Sequence, residues 1–216
     1  MAVVSPVLHV LALAEENVAE RCVSAVAGTG KHHVLAVDLP EHGERTGNSS
    51  ARFDPWHSAP ELHGIISSLR SKNKRVALRA VSIGAWFSLL AARGISLECC
   101  LLVSPLLNME RMIADMMRSA NISEDTLKDV GEIVVSNGTM LSYDYLLYAR
   151  NNPPTLSCRN AKVLCGENDT VVPFDTVEAF CKANHCGLTV MPGGEHWFHT
   201  AEQCNCLLYT SDAADE

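Results

Sequence analysis

No run of lysine or arginine in this 216-residue sequence is longer than two, and the formal net charge is −8. Phosphate backbones are held by clustered positive charge, so this balance argues against a nucleic-acid partner. No apolar stretch approaches the ~20 uninterrupted residues that a membrane-spanning helix needs. The opening MAVVSPVLHVLALAEE has the apolar character of a secretion signal. It has no basic residues ahead of that run, however, and Pro6 and His9 interrupt it. Internal repeats and low-complexity tracts are also absent. Cysteine, by contrast, is plentiful: Cys22, Cys99, Cys100, Cys158, Cys165, Cys181, Cys186, Cys204 and Cys206. Several lie inside apolar runs such as ECCLLVSP and KVLCG, where a reduced thiol packs as a small hydrophobe. A chain of this length can build its core without disulfides, so the cysteines read as thiols of a cytoplasmic protein.

Hydrophobic residues make up 47% of the chain and charged residues 19%, a globular balance. The last eleven residues, CLLYTSDAADE (206–216), read as an in-frame sequencing adapter rather than protein. They carry Asp212, Asp215 and Glu216, three of the negative charges in the total. The expected domain is therefore a single one over 1–205, with TAEQCN (200–205) opening a further helix.

Apolar runs and turn residues divide the chain. PVLHVLA (6–12), HHVLAVDL (32–39), KRVAL (74–78), LECCLLVSP (97–105), AKVLCG (161–166) and GLTVMP (187–192) read as buried strands. Helical spacing is expected over 15–27, 58–72, 85–94 and 173–184, with Gly28 and Gly94 as stops. Residues 40–55 form a turn-rich polar loop. Strands that are apolar throughout and alternate with helices imply an α/β protein, a mostly parallel central sheet covered by helices on both faces. The segment from about 107 to 157 breaks that rhythm. It is Met-rich and polar, has helical spacing with no clear strand, and reads as a small helical cap insertion closed by Pro153–Pro154.

One serine sits where such a sheet places chemistry. In RAVSIGAW (79–86), Ser82 lies between a strand and a helix, with Ala80 and Gly84 two residues either side. A serine nucleophile needs a base to take its proton and an acid to orient the base. In a parallel sheet these groups converge at the carboxyl ends of strands. Asp169 follows the strand AKVLCG, and His196 follows GLTVMP in GGEHWFHT. The order Ser, Asp, His, each after its own strand, fits a strand–turn–helix nucleophile with its two partners. Plainer readings exist. Ser82 and Asp169 both suit turns, and His199 competes with His196 as the base.

These residues resemble the α/β-hydrolase superfamily of serine hydrolases. VSIGAW, LCGENDTVVP and GGEHWFHT are similar to its nucleophile, acid and histidine segments. DLPEHGER (38–45) resembles the D-x-P-x-H-G-x-R stretch of many members, and SIGAWFSLLA, VSPLLNMER and GEHWFHT resemble a bacterial branch. The likeness covers about 30–203. It implies Ser82 as nucleophile, His196 as general base and Asp169 as orienting acid. It also implies an oxyanion hole formed by the backbone N–H of Ile83 and a second donor. Many members carry His-Gly after the first of these strands. Here His9-Val10-Leu11-Ala12 stands instead, and the backbone of Leu11–Leu13, with Leu11 named first, is the candidate second donor.

The expected activity is hydrolysis of an ester or thioester of a small to medium acyl group through a covalent acyl-enzyme, the cap setting acyl size. A catalytically silent binding protein on the same fold and an acyltransferase on the same triad are the alternatives. No metal or organic cofactor is implied. Cys181, His185 and Cys186 have a metal-like look but lack an obvious fourth ligand. Cys99 and Cys100 read as packing, and Asp38 and His42 as residues that shape the 40–55 loop. Trp56, Trp86 and Trp197 are candidates to line a pocket, Trp86 equally to fill the core.

Overall fold

A computed structural model describes residues 7–13, 32–47, 51–72, 75–198, 200, 202 and 203. The expected helix 15–27, Cys22, His199 and the tail from 204 lie outside the described residues. The chain divides into two compact units, one formed by Met1–Leu106 with Thr155–Glu216 and the other by Leu107–Pro154.

The first unit holds a six-stranded sheet. Its strands are β1 (Val7–Leu13), β2 (His32–Asp38), β3 (Val76–Val81), β4 (Leu97–Val103), β7 (Cys158–Gly166) and β8 (Gly187–Met191). Their order across the sheet is β2-β1-β3-β4-β7-β8, and every neighbouring pair is parallel. All six residues of β3 are buried, as are all of β4 except Glu98. Successive side chains point to opposite faces, so an unbroken buried run means that both faces are covered. The chain steps from β1 outward to β2 and returns on the other side of β1 as β3. The strand order therefore reverses between β1 and β3, the kind of crevice where α/β sheets bind ligands.

Among the described residues, α1 (Pro55–Lys72), α2 (Ser82–Ala91) and α6 (Phe174–Asn184) connect strands of this sheet. α1 starts three residues before its expected position. Asp54 explains the early start, because its carboxylate accepts the His57 N–H at 2.9 Å as an N-cap and Pro55 suits the first helical position. Leu62 and Ile66 of α1 and Trp86, Phe87 and Leu89 of α2 are buried in the core.

The second unit contains α3 (Met109–Ser119), α4 (Glu124–Val130), β5 (Glu132–Val134), β6 (Met140–Ser142) and α5 (Tyr143–Asn151). Asn108, Ser123 and Ser142 cap the three helices with side-chain oxygens. Met109, Ile113 and Met117, four residues apart, form the buried stripe of α3. Arg150 on α5 ties the helices together, reaching Glu110 at 2.7 Å and both carboxylate oxygens of Glu124 at 2.9 and 3.0 Å. The reading of this segment as having no clear strand is corrected here, because β5 and β6 form an antiparallel hairpin. Its turn bonds the Gly138 N–H to the Val135 carbonyl at 2.8 Å and sets Gly138 at φ 84°. Asn-Gly between short apolar runs is the sequence signal for such a turn.

Candidate active site

β3 runs directly into α2, and Ser82 is the junction. Its φ is 50°, a left-handed conformation that costs a non-glycine residue about 1 kcal/mol or more. The surroundings impose it. Val81 is locked opposite Val103 in the sheet, and the Ser82 carbonyl accepts the Leu106 N–H at 3.0 Å. Ala80 and Gly84 are both buried beside the turn, where a larger side chain would be crowded. Val81, the N-cap of α2, makes no side-chain hydrogen bond, so no cap side chain competes for the N–H groups of the first turn, Ile83 among them.

Three predicted side chains meet at this end of the sheet. The Ser82 hydroxyl lies 2.9 Å from Nε2 of His196, and Nδ1 of His196 lies 2.8 Å from Oδ2 of Asp169. An ionised carboxylate only accepts, so Nδ1 carries the proton and donates to Asp169. Nε2 is then the acceptor for the serine O–H, the arrangement general-base activation requires. The His196 and Asp169 side chains are almost wholly removed from solvent, at 3% and 4% exposure. Burial by itself raises the Asp169 carboxyl. Hydrogen bonds from His196 and from the Val172 and Val171 N–H groups outweigh it and hold the carboxyl below its ordinary value.

Asp169 divides its two oxygens between two tasks. Oδ1 accepts the Val171 and Val172 N–H groups, both at 2.9 Å, which closes a turn and fixes the carboxylate plane. Oδ2 remains for His196. The turn-forming reading and the acid reading of Asp169 are thus both geometrically satisfied.

The loops bearing Asp169 and His196 are laced together by backbone. The Glu167 N–H donates to the Met191 carbonyl at 2.9 Å and the Asn168 N–H to the Gly194 carbonyl at 2.8 Å, while the Glu167 carboxylate accepts the Gly193 N–H at 2.8 Å. Gly166 makes this approach possible, since a Cβ there would run into the Gly194 carbonyl. Sequence reasoning did not find Gly166, nor the Val171 and Val172 donors. The Asp-Thr-Val-Val pattern was a usable signal for the donors, because Asp commonly bonds backbone two residues on.

The expected donor segment, Leu11–Leu13, is the carboxyl end of β1, and Leu11 is the first of its three residues. It pairs with Ala36 on one side and Arg79 on the other, inside the ladder and three residues before the level of Ser82. At about 3.3 Å per residue, that is roughly 10 Å short along the strand. The last pairing of β1 with β3 is Ala12 with Ala80, so only the carboxyl end of β1, at Leu13, approaches the level of Ser82.

Asp38 and His42 are engaged in the loop. Asp38 accepts the Glu44 N–H at 3.1 Å, and His42 Nδ1 lies 2.8 Å from the Pro40 carbonyl. Trp86 is fully buried, whereas Trp56 and Trp197 are exposed, the indole of Trp197 standing edge-on to His196 with centroids 4.2 Å apart. Among the described residues, no group of three His, Cys, Asp or Glu side chains is placed to hold a metal ion. No described helix is long and apolar enough to cross a membrane.

Comparison with solved structures settles the architecture. A putative hydrolase from Agrobacterium vitis S4 superposes with a TM-score of 0.75 at 15% identity, over 98% of this chain and 88% of that one. The chain has the α/β-hydrolase fold. Mouse alpha/beta hydrolase domain-containing protein 10 gives 0.69 at 16% identity, covering 96% of this chain and 88% of that one. The RedJ thioesterase of Streptomyces coelicolor, from the prodiginine biosynthetic pathway, gives 0.58 at 15% identity, covering 99% and 91%. No protein-family model matches the sequence, and no curated protein matches it.

Proposed function

We propose that this α/β-hydrolase-fold protein is a serine hydrolase that cleaves an ester or thioester of a small to medium acyl group. The observation that carries the reading is the hydrogen-bonded relay from Ser82 through His196 to Asp169. In this mechanism Ser82 Oγ attacks the acyl carbonyl as its proton passes to His196 Nε2. The imidazolium formed is stabilised by Asp169 and returns the proton to the leaving alcohol or thiol. Water, activated by the same histidine, then hydrolyses the acyl-enzyme. The carbonyl oxygen, as it gains charge, is met by the Ile83 N–H at the amino end of α2, where the helix dipole adds to the attraction. The second donor is assigned to the carboxyl end of β1, at Leu13. A cytoplasmic location fits Cys100, Cys158, Cys165, Cys181 and Cys186, none of which is in a disulfide among the described residues.

A hydrolase and a thioesterase among the proteins of similar fold support the hydrolase reading, and the thioesterase supports a thiol leaving group. The test is labelling of the full chain with a fluorophosphonate, read by mass spectrometry. The expected result is one adduct, on Ser82, lost in Ser82→Ala and slowed by about 10²–10⁴ in His196→Ala, the usual contribution of a general base. A folded wild type that takes no label would overturn the proposal and leave a silent binding protein as the reading.

A further inference from the structure

Away from the triad, two cysteines are brought together by the way α6 ends. His185 follows the helix in the left-handed conformation, at φ 55° and ψ 38°. The next residue, Cys186, donates its N–H to the Cys181 carbonyl at 3.0 Å. A helix closed by this six-to-one bond sets the side chain just beyond the end against the one in its last turn. Here both side chains are cysteines. With one carbonyl at one end and an N–Cα bond at the other, the hydrogen bond caps the Cα separation at about 7 Å. Disulfides span roughly 4.4–6.8 Å.

The two residues are held side by side by this backbone bond, and their thiols are unequal. Hydrogen bonding between the two side chains perturbs both thiols. That bonding, with burial, raises Cys181, and the same bonding draws Cys186 below the ordinary thiol value against the effect of burial. Cys181 is buried and Cys186 half-buried. Burial instead raises Cys158, the other half-buried thiol among those described. Partial exposure and a lowered thiol therefore coincide at Cys186, with Cys181 held beside it by the backbone bond.

We propose that Cys181 and Cys186 form a redox-active dithiol whose oxidant is a small-molecule disulfide. The Cys186 thiolate attacks one sulfur of the small disulfide, breaks its S–S bond and expels one thiolate, leaving a mixed disulfide on Cys186. Cys181 then loses its proton to solvent and attacks Cys186 Sγ, expelling the second thiolate. One disulfide is consumed and one formed, with the two protein thiols oxidised and the small disulfide reduced to two thiols. The bridge joins the end of α6 to the start of β8, the two elements that lie between Asp169 and His196 in the chain.

The test equilibrates the full chain with glutathione disulfide and glutathione at graded ratios, then quenches with acid, alkylates and digests with trypsin. Cleavage after Lys182 separates the two cysteines into peptides 163–182 and 183–216. The expected product is that pair joined through Cys181 and Cys186, two hydrogen masses lighter, appearing before any other described cysteine is modified. Cys181→Ser should trap the glutathione adduct on Cys186, and Cys186→Ser should prevent both adduct and bridge. A bridge already closed on purification and opened by dithiothreitol would also support the proposal. If either variant fails to fold, phenylarsine oxide on the wild type gives the same information, with one adduct spanning Cys181 and Cys186. Two free thiols at these positions while other cysteines oxidise, or no joint arsenical adduct, would overturn it.

Discussion

Gly166→Ala is the change that most directly tests how the triad is held. Gly166 ends β7, and its Cα faces the loop that leads to His196. A Cβ built there would meet the Gly194 carbonyl well inside contact distance and would come 2.8 Å from the Glu195 carbonyl. Carbon and carbonyl oxygen come no closer than about 3.3 Å, so the two loops must part by more than roughly half an ångström. The obstacle is backbone on both sides, which has no rotamer to yield. Asp169 lies three residues past Gly166 and His196 two residues past Gly194, so the separation falls on the 2.8 Å bond between them and on the 2.9 Å bond to Ser82. Both are then pushed toward the limit of useful hydrogen bonding. A misplacement of about 1 Å costs on the order of 10²-fold in rate, and overpacking of this kind costs about 1–3 kcal/mol of stability. For a chain of this size the melting temperature should fall by about 2–4 °C per kcal/mol. The assay pairs the fluorophosphonate labelling rate with a thermal melt. Gly187→Ala, whose Cβ would meet Lys162 Cγ at 3.5 Å and the Ala161 carbonyl oxygen at 3.8 Å, both ordinary contacts, is the control and should leave both readings near wild type. A Gly166→Ala protein that melts and labels as the wild type does would refute the claim that this close approach sets the triad.

Asp169→Asn should keep the fold but present His196 with an amide, which favours the wrong tautomer. A drop of about 10⁴ in labelling rate is expected, by analogy with the same change in a well-studied triad, and a rate within tenfold of wild type would dismiss Asp169 as the orienting acid. Its lowered carboxyl also makes a stability prediction, since a depressed acid stabilises the fold above its unfolded value near pH 4 and loses that contribution as pH falls through the folded value. The gap in melting temperature between wild type and Asp169→Asn should therefore be widest at neutral pH and shrink below about pH 4; a constant gap would contradict the ionised-acid assignment. Ser104, fully buried just after β4, has a hydroxyl with no hydrogen-bond partner among the described residues. Ser104→Ala removes that unsatisfied group and should leave the melting temperature unchanged or raise it, by up to about 1 kcal/mol of stability; a loss of several degrees would mean that the hydroxyl is bonded.

The parts of this molecule that could be read from sequence are those governed by local chemistry. KRVAL and ECCLLV read as strands because a strand buried on both faces is apolar without alternation, and β3 and β4 are buried in just that way. Ser82, Asp169 and His196 stood out because each follows a strand, and parallel strands deliver their carboxyl ends to one edge. The sequence could say which edge they share, and only the fold gives the 2.9 and 2.8 Å contacts between them. The hairpin Glu132–Ser142 escaped because its strands are three residues each, too short for a period to register, although Asn137-Gly138 marked its turn.

Leu11 shows where local reading stops. The family resemblance offered the Leu11–Leu13 backbone, Leu11 first, as a donor beside Ser82. Its fitness depends on how far β1 slides against β3, and that offset is written in neither strand alone. The register pairs Leu11 with Arg79 and Ala12 with Ala80, so each step toward Ser82 moves the donor one residue later along β1. The same reasoning explains Gly166. A glycine at a strand end has many uses, and only the partner loop, with Gly194 against it, shows that this one is kept bare so that an acid and a histidine 27 residues apart can meet. In a parallel sheet, then, the type of a site residue is legible wherever its chemistry is local, and its distance to a partner becomes legible only once the register is known.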